Sequence, residues 1–164
     1  MPLNSQVAAS LNQQINNELG AAYTYLAMAS YFDANDMPGF SAWFRAHAQE
    51  EIGHAMRIYE FLSKRGARVQ LMGVPAPQSH FRNPVEAIAT AYGREQEVTL
   101  QIHAMFELAH EVKEYGTQNM LHWFLDEQVS EEDTFRRLLT QAEAAGDDKW
   151  QIAMLDRQMS NPKP

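Results

Sequence analysis

The stretch from His47 to Arg57, HAQEEIGHAMR, carries apolar residues at helical spacing, yet its inward face would include Glu51 and His54. These two stand at i and i+3, so both project from one side of one helix. Glu18, Glu95, Gln128 and Glu131 fall on equivalent apolar stripes in three other segments. Carboxylates buried together are costly unless positive charge compensates them. No lysine or arginine lies on these stripes, so one metal ion, or two, is the simplest source of that charge. A Glu-x-x-His on one helix with a single Glu from its partner is half of a dinuclear carboxylate site.

The layout recurs with a flaw. Glu18 precedes Glu51 by 33 residues, and Glu95 precedes Glu127 by 32. Ser130 then stands where a second histidine would be, and Gln128 and Glu131 take the core stripe. Two unequal metal positions are therefore expected. One has Glu18 and His54, the other is almost all oxygen from Glu95 and Glu131, and Glu51 is placed to bridge them. Oxygen-rich donors with one imidazole suit iron or manganese better than copper. Tyr25, two turns beyond Glu18, is placed to donate a hydrogen bond or an electron there. His47, one turn before Glu51, reads as a residue that packs or supports a ligand and not as a direct ligand. His80, His103, His110 and His122 have no partners at metal spacing.

Holding such residues at one height requires long parallel elements. Helical periodicity predicts helices over about 5–34, 39–65, 84–114 and 117–145, with a short fifth over 148–159. Asn35 to Gly39, Gly66, Asn83-Pro84, Tyr115-Gly116 and Gly146 supply the punctuation. The segment 67–83 lacks periodicity and contains Pro75 and Pro77. Extended, it reaches at most about 55–60 Å. A 27-residue helix is about 40 Å long, so the segment can cross the whole molecule. The expected fold is all-α: a four-helix bundle of two antiparallel hairpins joined by one long crossover, in a single domain over 1–164.

Composition excludes other classes. The net charge of -8, from 21 acidic and 13 basic residues, argues against nucleic acid as a partner. No run approaches the length of a membrane span. The absence of cysteine removes disulfides and thiolate metal sites. With no signal-like start, a cytoplasmic location is the expectation.

At Glu18, Tyr25, the block Ala48 to His54, Glu95, and Trp123 through Glu131, the chain resembles the non-haem prokaryotic ferritins, and the resemblance spans its full length. It implies that Glu18, Glu51, His54, Glu95 and Gln128, with Glu131, form a diiron ferroxidase centre. It implies that Glu50 and Glu127 belong to a neighbouring third iron site, although Ser130 replaces an acidic residue common in that set. Haem-binding relatives carry a methionine after the bridging glutamate, where this chain has Ile52, so no haem is expected. The family further implies ferrous iron and dioxygen or peroxide as reactants and a 24-subunit shell storing ferric mineral. The competing readings are a rubrerythrin-type diiron oxidoreductase, against which Ser130 counts, and a purely structural bundle.

Overall fold

The computed structural model describes residues 1–160; the last four residues of the expected domain lie outside that description. Five helices follow in order: α1 Ser5–Ala34, α2 Pro38–Lys64, α3 Pro84–Glu111, α4 Tyr115–Ala145 and α5 Lys149–Met159. No strand occurs among the described residues. The helix starts follow their side chains. Asn4 Oδ1 accepts from the amides of Gln6 and Val7, Asn83 Oδ1 from Glu86, and Asp148 Oδ1 from Trp150 and Gln151. Each satisfies amides that a helix start leaves without partners. Pro38 and Pro84 occupy first turns, where the missing N–H costs nothing.

The expected joint between α3 and α4 is displaced. Tyr115 and Gly116 belong to the first turn of α4, and α3 stops at Glu111. The reversal is made by Val112 to Glu114, where Lys113 takes a φ of 59°. Gly116 lies close to Arg65: a Cβ there would stand 3.1 Å from its Nη1, a tight contact that the flexible arginine could relieve by a small shift. Arg65 in turn reaches Glu114 at 3.1 Å, so the joint is fastened to the end of α2.

The long connection from α2 to α3 lies along α1. Asn12 accepts from the amide of Gln70 at 2.7 Å and donates to the Arg68 carbonyl at 3.1 Å. Asn16 accepts from the Met72 amide at 3.3 Å. These two buried asparagines satisfy backbone groups of a segment that has no secondary structure of its own. α5 packs on the start of α2, where Asp156 Oδ1 accepts from the Phe40 amide at 2.8 Å. Gly39 is required here, because a Cβ would lie 1.8 Å from the Asp156 carbonyl oxygen.

The apolar core is divided in two. One half gathers Tyr25, Phe32, Phe40, Phe44, Ile88, Phe135 and Leu155. The other gathers Leu11, Ile15, Ile58, Leu62, Ile102, Leu121 and Phe124. On every long helix, the break between halves falls at the polar positions: Glu18 on α1, Glu51 and His54 on α2, Glu95 on α3, Gln128 and Glu131 on α4. A polar layer thus crosses the middle of an otherwise apolar bundle.

Candidate metal centre

Each helix delivers its polar residue to this layer by the same 3.6-residue period that delivers the flanking apolar ones. Glu18 is 0% exposed, Glu51 and Glu95 are 1% exposed, and His54, Gln128 and Glu131 are also buried. Glu18, Glu51 and His54 offer one donor atom each within 4.8 Å of one another. His54 Nδ1 lies 3.1 Å from Glu51 Oε2 and 3.9 Å from Glu18 Oε2. Glu18 Oε2, Glu51 Oε1 and Glu131 Oε2 are buried without a hydrogen-bond partner. Buried carboxylate oxygens are seldom left so; a cation held by Glu18, Glu51 and His54 would satisfy the first two, and Glu131 belongs to the neighbouring donor groups.

Glu95 is held differently. Tyr25 donates its hydroxyl hydrogen to Glu95 Oε1. Gln128 Nε2 donates to Glu95 Oε2 at 3.2 Å, and to Thr99 Oγ1 at 3.3 Å. As placed, Gln128 presents its amide nitrogen to the site, so it orients Glu95. Thr99, not singled out by the sequence, completes this arrangement through its own bond to the Glu95 carbonyl at 3.1 Å. It sits four residues after Glu95, the only sequence signal it gives.

Two further donor groups lie beside the first. His54, Glu127 and Glu131 form one, and His47, Glu50 and Glu131 the other. His47 Nε2 stands 3.6 Å from Glu131 Oε2 and 3.8 Å from Glu50 Oε2. His47 packs on Trp43, with ring centroids 3.9 Å apart, and also faces two carboxylates. Glu50 is exposed and Glu127 half-buried, so this end of the layer opens to solvent. Trp123 places its ring 5.4 Å from that of His54, edge to face, and the Arg57 guanidinium covers Trp123 at 4.1 Å. No spacing in the sequence signals that contact.

The electrostatics follow from burial. Loss of water pushes the Glu18 and Glu51 carboxyls well above the usual range, and the neighbouring Glu51 and Glu95 charges respectively add to it. Burial also raises Glu95 to about 7, although the hydrogen bond from Tyr25 opposes the rise. Tyr25 is driven well above its ordinary value by burial and by the Glu95 charge. Burial works against protonating His47, but Glu131 outweighs it and the net shift is upward. Without a cation the layer must take up protons; with one, it can release them.

A four-helix bundle with a buried mid-height layer of glutamates and one histidine defines the class of helical carboxylate metalloproteins. A family profile described as Ferritin-like domain matches residues 8–145. The chain belongs to the ferritin family. It is 34% identical over 158 residues to the bacterial non-heme ferritin of Staphylococcus haemolyticus, covering 96% of this chain and 95% of the relative. It is 35% identical over 157 residues to that of Staphylococcus aureus strain USA300, with the same coverage. Among solved structures, a novel open pore ferritin from the hyperthermophilic archaeon Archaeoglobus fulgidus superimposes with a TM-score of 0.96 at 39% identity, covering 98% of this chain and 99% of that one. A form of that ferritin engineered to be closed gives 0.96 at 38%, covering 98% of each chain.

Proposed function

We propose that this protein stores iron and oxidises it on the way in. Ferrous ions bind in the polar layer, are oxidised by dioxygen or hydrogen peroxide, and pass as ferric iron into a mineral held by an oligomeric shell. The observation that carries the reading is the Glu18–Glu51–His54 donor group, with unpartnered buried oxygens and no lysine or arginine among its members.

Iron is substrate and cargo here. Glu18 and His54 hold one ferrous ion, Glu51 is shared, and Glu95 with Glu131 supplies the second position. Each ion loses one electron. Dioxygen accepts two electrons and two protons and leaves as hydrogen peroxide; peroxide as oxidant accepts two of each and leaves as two waters. Hard anionic carboxylates favour the ferric state. Tyr25 and Gln128 fix Glu95 from both sides, which limits the rearrangement needed as charge on the iron rises. The group His47, Glu50 and Glu131 supports a third position, with His47 supplying a donor where Ser130 has none.

Exposed apolar side chains support assembly. Tyr23, Leu26, Leu71 and Met72 lie on α1 and the crossover segment, with Leu71 67% exposed. Contact with another chain would bury this exposed apolar area. A shell of 24 copies is the reading the family favours.

Two measurements test the proposal together. Purified protein is loaded anaerobically with ferrous iron and then exposed to air, with ferric absorbance and iron per chain recorded. Size-exclusion chromatography gives the assembly. Retained ferric iron far above three ions per chain, in a particle of hundreds of kilodaltons, is the expected outcome. Oxidation by a dimer that retains only a few ions would favour a diiron oxidoreductase instead, and no bound iron at all would leave a structural bundle.

A further inference from the structure

A groove of about 330 Å³ lies between α3 and α4, lined only by residues of those two helices. None of the residues in the three donor groups lines it. It nevertheless reaches the centre. Its walls include the buried Gln128, whose amide bonds Glu95, and the half-buried Thr99, to which the same amide donates. One side chain is thus shared between the groove and the carboxylate expected to hold the second iron. At the outer wall stands Val129, 73% exposed.

The lining decides what the groove accepts. Asp133 is bound by two guanidinium groups, Arg136 at 2.5 Å and Arg137 at 2.7 Å, so its charge is spent. Arg136 itself lines the groove, and Glu132 is the one other carboxylate there. His103 and Glu132 are the remaining donors in this place, and a divalent cation that approached them would also meet the Arg136 guanidinium. The α2–α4 side is the reverse: Glu50, Glu127 and Glu131 gather there around His47 and His54. The α2–α4 side, whose donor groups contain no arginine or lysine, is therefore the more favourable face for ferrous ions. Apolar surface from Leu125 and Val129, beside the hydroxyl of Thr99, suits a small uncharged molecule.

We propose that the α3–α4 groove admits and holds the uncharged oxidant, dioxygen or hydrogen peroxide, next to Glu95, while ferrous ions arrive from the α2–α4 side. This rests on the ferroxidase reading above. Gln128 and Thr99 then act as positioning residues at the inner wall, keeping Glu95 in place and separating groove from carboxylate until oxidant arrives.

The test fills the groove from a position that touches no candidate ligand. Val129→Trp, with Val129→Phe as a milder second variant, is prepared in the assembled protein. Oxidation rates are measured against dioxygen at fixed iron, against hydrogen peroxide at fixed iron, and against iron at fixed oxidant. Anaerobic ferrous binding is measured in parallel. The expected result is a several-fold rise in apparent KM for one or both oxidants, graded from Phe to Trp, with ferrous stoichiometry and the apparent KM for iron unchanged. The oxidant whose KM moves is the one the groove serves. Unchanged oxidant dependence in both variants overturns the inference, and so does a shift confined to iron, which would make the groove an iron route. Wild-type protein that oxidises no iron overturns the ferroxidase reading and this inference with it; an active wild type with unaffected variants overturns the inference alone.

Discussion

Tyr25 donates its hydroxyl hydrogen to Glu95 across the middle of the bundle, joining α1 to α3 where water does not reach. The bond favours the charged carboxylate and opposes the burial that raises Glu95 to about 7. In Tyr25→Phe, Glu95 keeps only Gln128, and its proton competes better with a metal. A lost hydrogen bond to a charged group is worth about 1.5–3 kcal/mol. Anaerobic titration with ferrous iron or cobalt should show the second ion bound about tenfold or more weakly, and the first little changed. Equal weakening of both ions would place Tyr25 elsewhere in the scheme.

Glu51 should show opposite effects on stability and activity. It lies buried with an unpartnered oxygen beside Glu18, so in metal-free protein it is a liability. Glu51→Gln removes the charge and keeps the shape. Metal-free Glu51→Gln should melt several degrees above wild type near neutral pH. Fast iron oxidation in Glu51→Ala should fall by about 100-fold or more, beyond the 10–100-fold typical of residues that only support a ligand. A Glu51→Ala variant oxidising iron at the wild-type rate would misassign the site.

The pH dependence has a definite sign. Glu95 titrates near 7 in the folded chain against an ordinary 4.5, and Glu18 and Glu51 are shifted the same way. Groups with raised folded pKa stabilise the metal-free fold fully below the ordinary value, and that contribution is lost as pH rises through the folded value. Metal displaces those protons. Calorimetric melting with and without a redox-inert ion such as zinc should therefore show a gap that widens from about pH 5.5 to about pH 8. Proton release on binding, followed with an indicator dye, should be larger at the lower pH. A gap independent of pH would mean that the carboxylates are ionised in the metal-free fold.

On the proposed reading, His47 marks the third position. His47→Ala removes a donor that faces Glu50 and Glu131 and leaves Glu18, Glu51 and His54 in place. Anaerobic iron binding should fall from three ions per chain to two, with the initial oxidation rate kept within about threefold, the size of an effect below one kcal/mol. Loss of the fast phase would instead make His47 part of the main centre.

Gly39 tests the seat of α5. Adding one methyl group in Gly39→Ala places a carbon into the Asp156 carbonyl. Backbone cannot step aside as a flexible side chain can, so the cost is at least the roughly 1–3 kcal/mol of overpacking. Thermal melting should drop by several degrees. Asp156→Asn keeps an oxygen to accept from the Phe40 amide and should cost less. Gly39→Ala with unchanged melting would mean that α5 is free to shift.

The helices and the polar layer were legible because they share one signal. Glu18, Glu51, His54, Glu95, Gln128 and Glu131 interrupt stripes whose period is set by backbone geometry, so a single strand of text reveals both. The α3–α4 joint was not legible: Tyr115-Gly116 has the composition of a turn, yet the reversal is made by Val112 to Glu114, with Lys113 at a φ of 59°. What His47 faces was not legible for a related reason. Its spacing places it on α2, but its nearness to Glu131 depends on how far α2 and α4 slide along each other. The Asp156–Phe40 bond joins elements remote in sequence, and the α3–α4 groove depends on how two neighbouring helices pack, so no local period encodes either.

The crossover segment, clamped to α1 by Asn12 and Asn16, also sets an order of events. Each hairpin can form from contacts close in sequence, while docking the two requires the long connection to be laid down. Before docking, the chain offers a metal only what one hairpin holds: Glu51 and His54 on α2, and Glu18 facing them from α1. Glu95, Gln128 and Glu131 arrive with the second hairpin. On the proposed ferroxidase reading, a nascent chain would hold donors for one ferrous ion and lack the pair of positions that two-electron chemistry needs. Reactive oxygen chemistry would in this way be deferred until the polypeptide has finished folding.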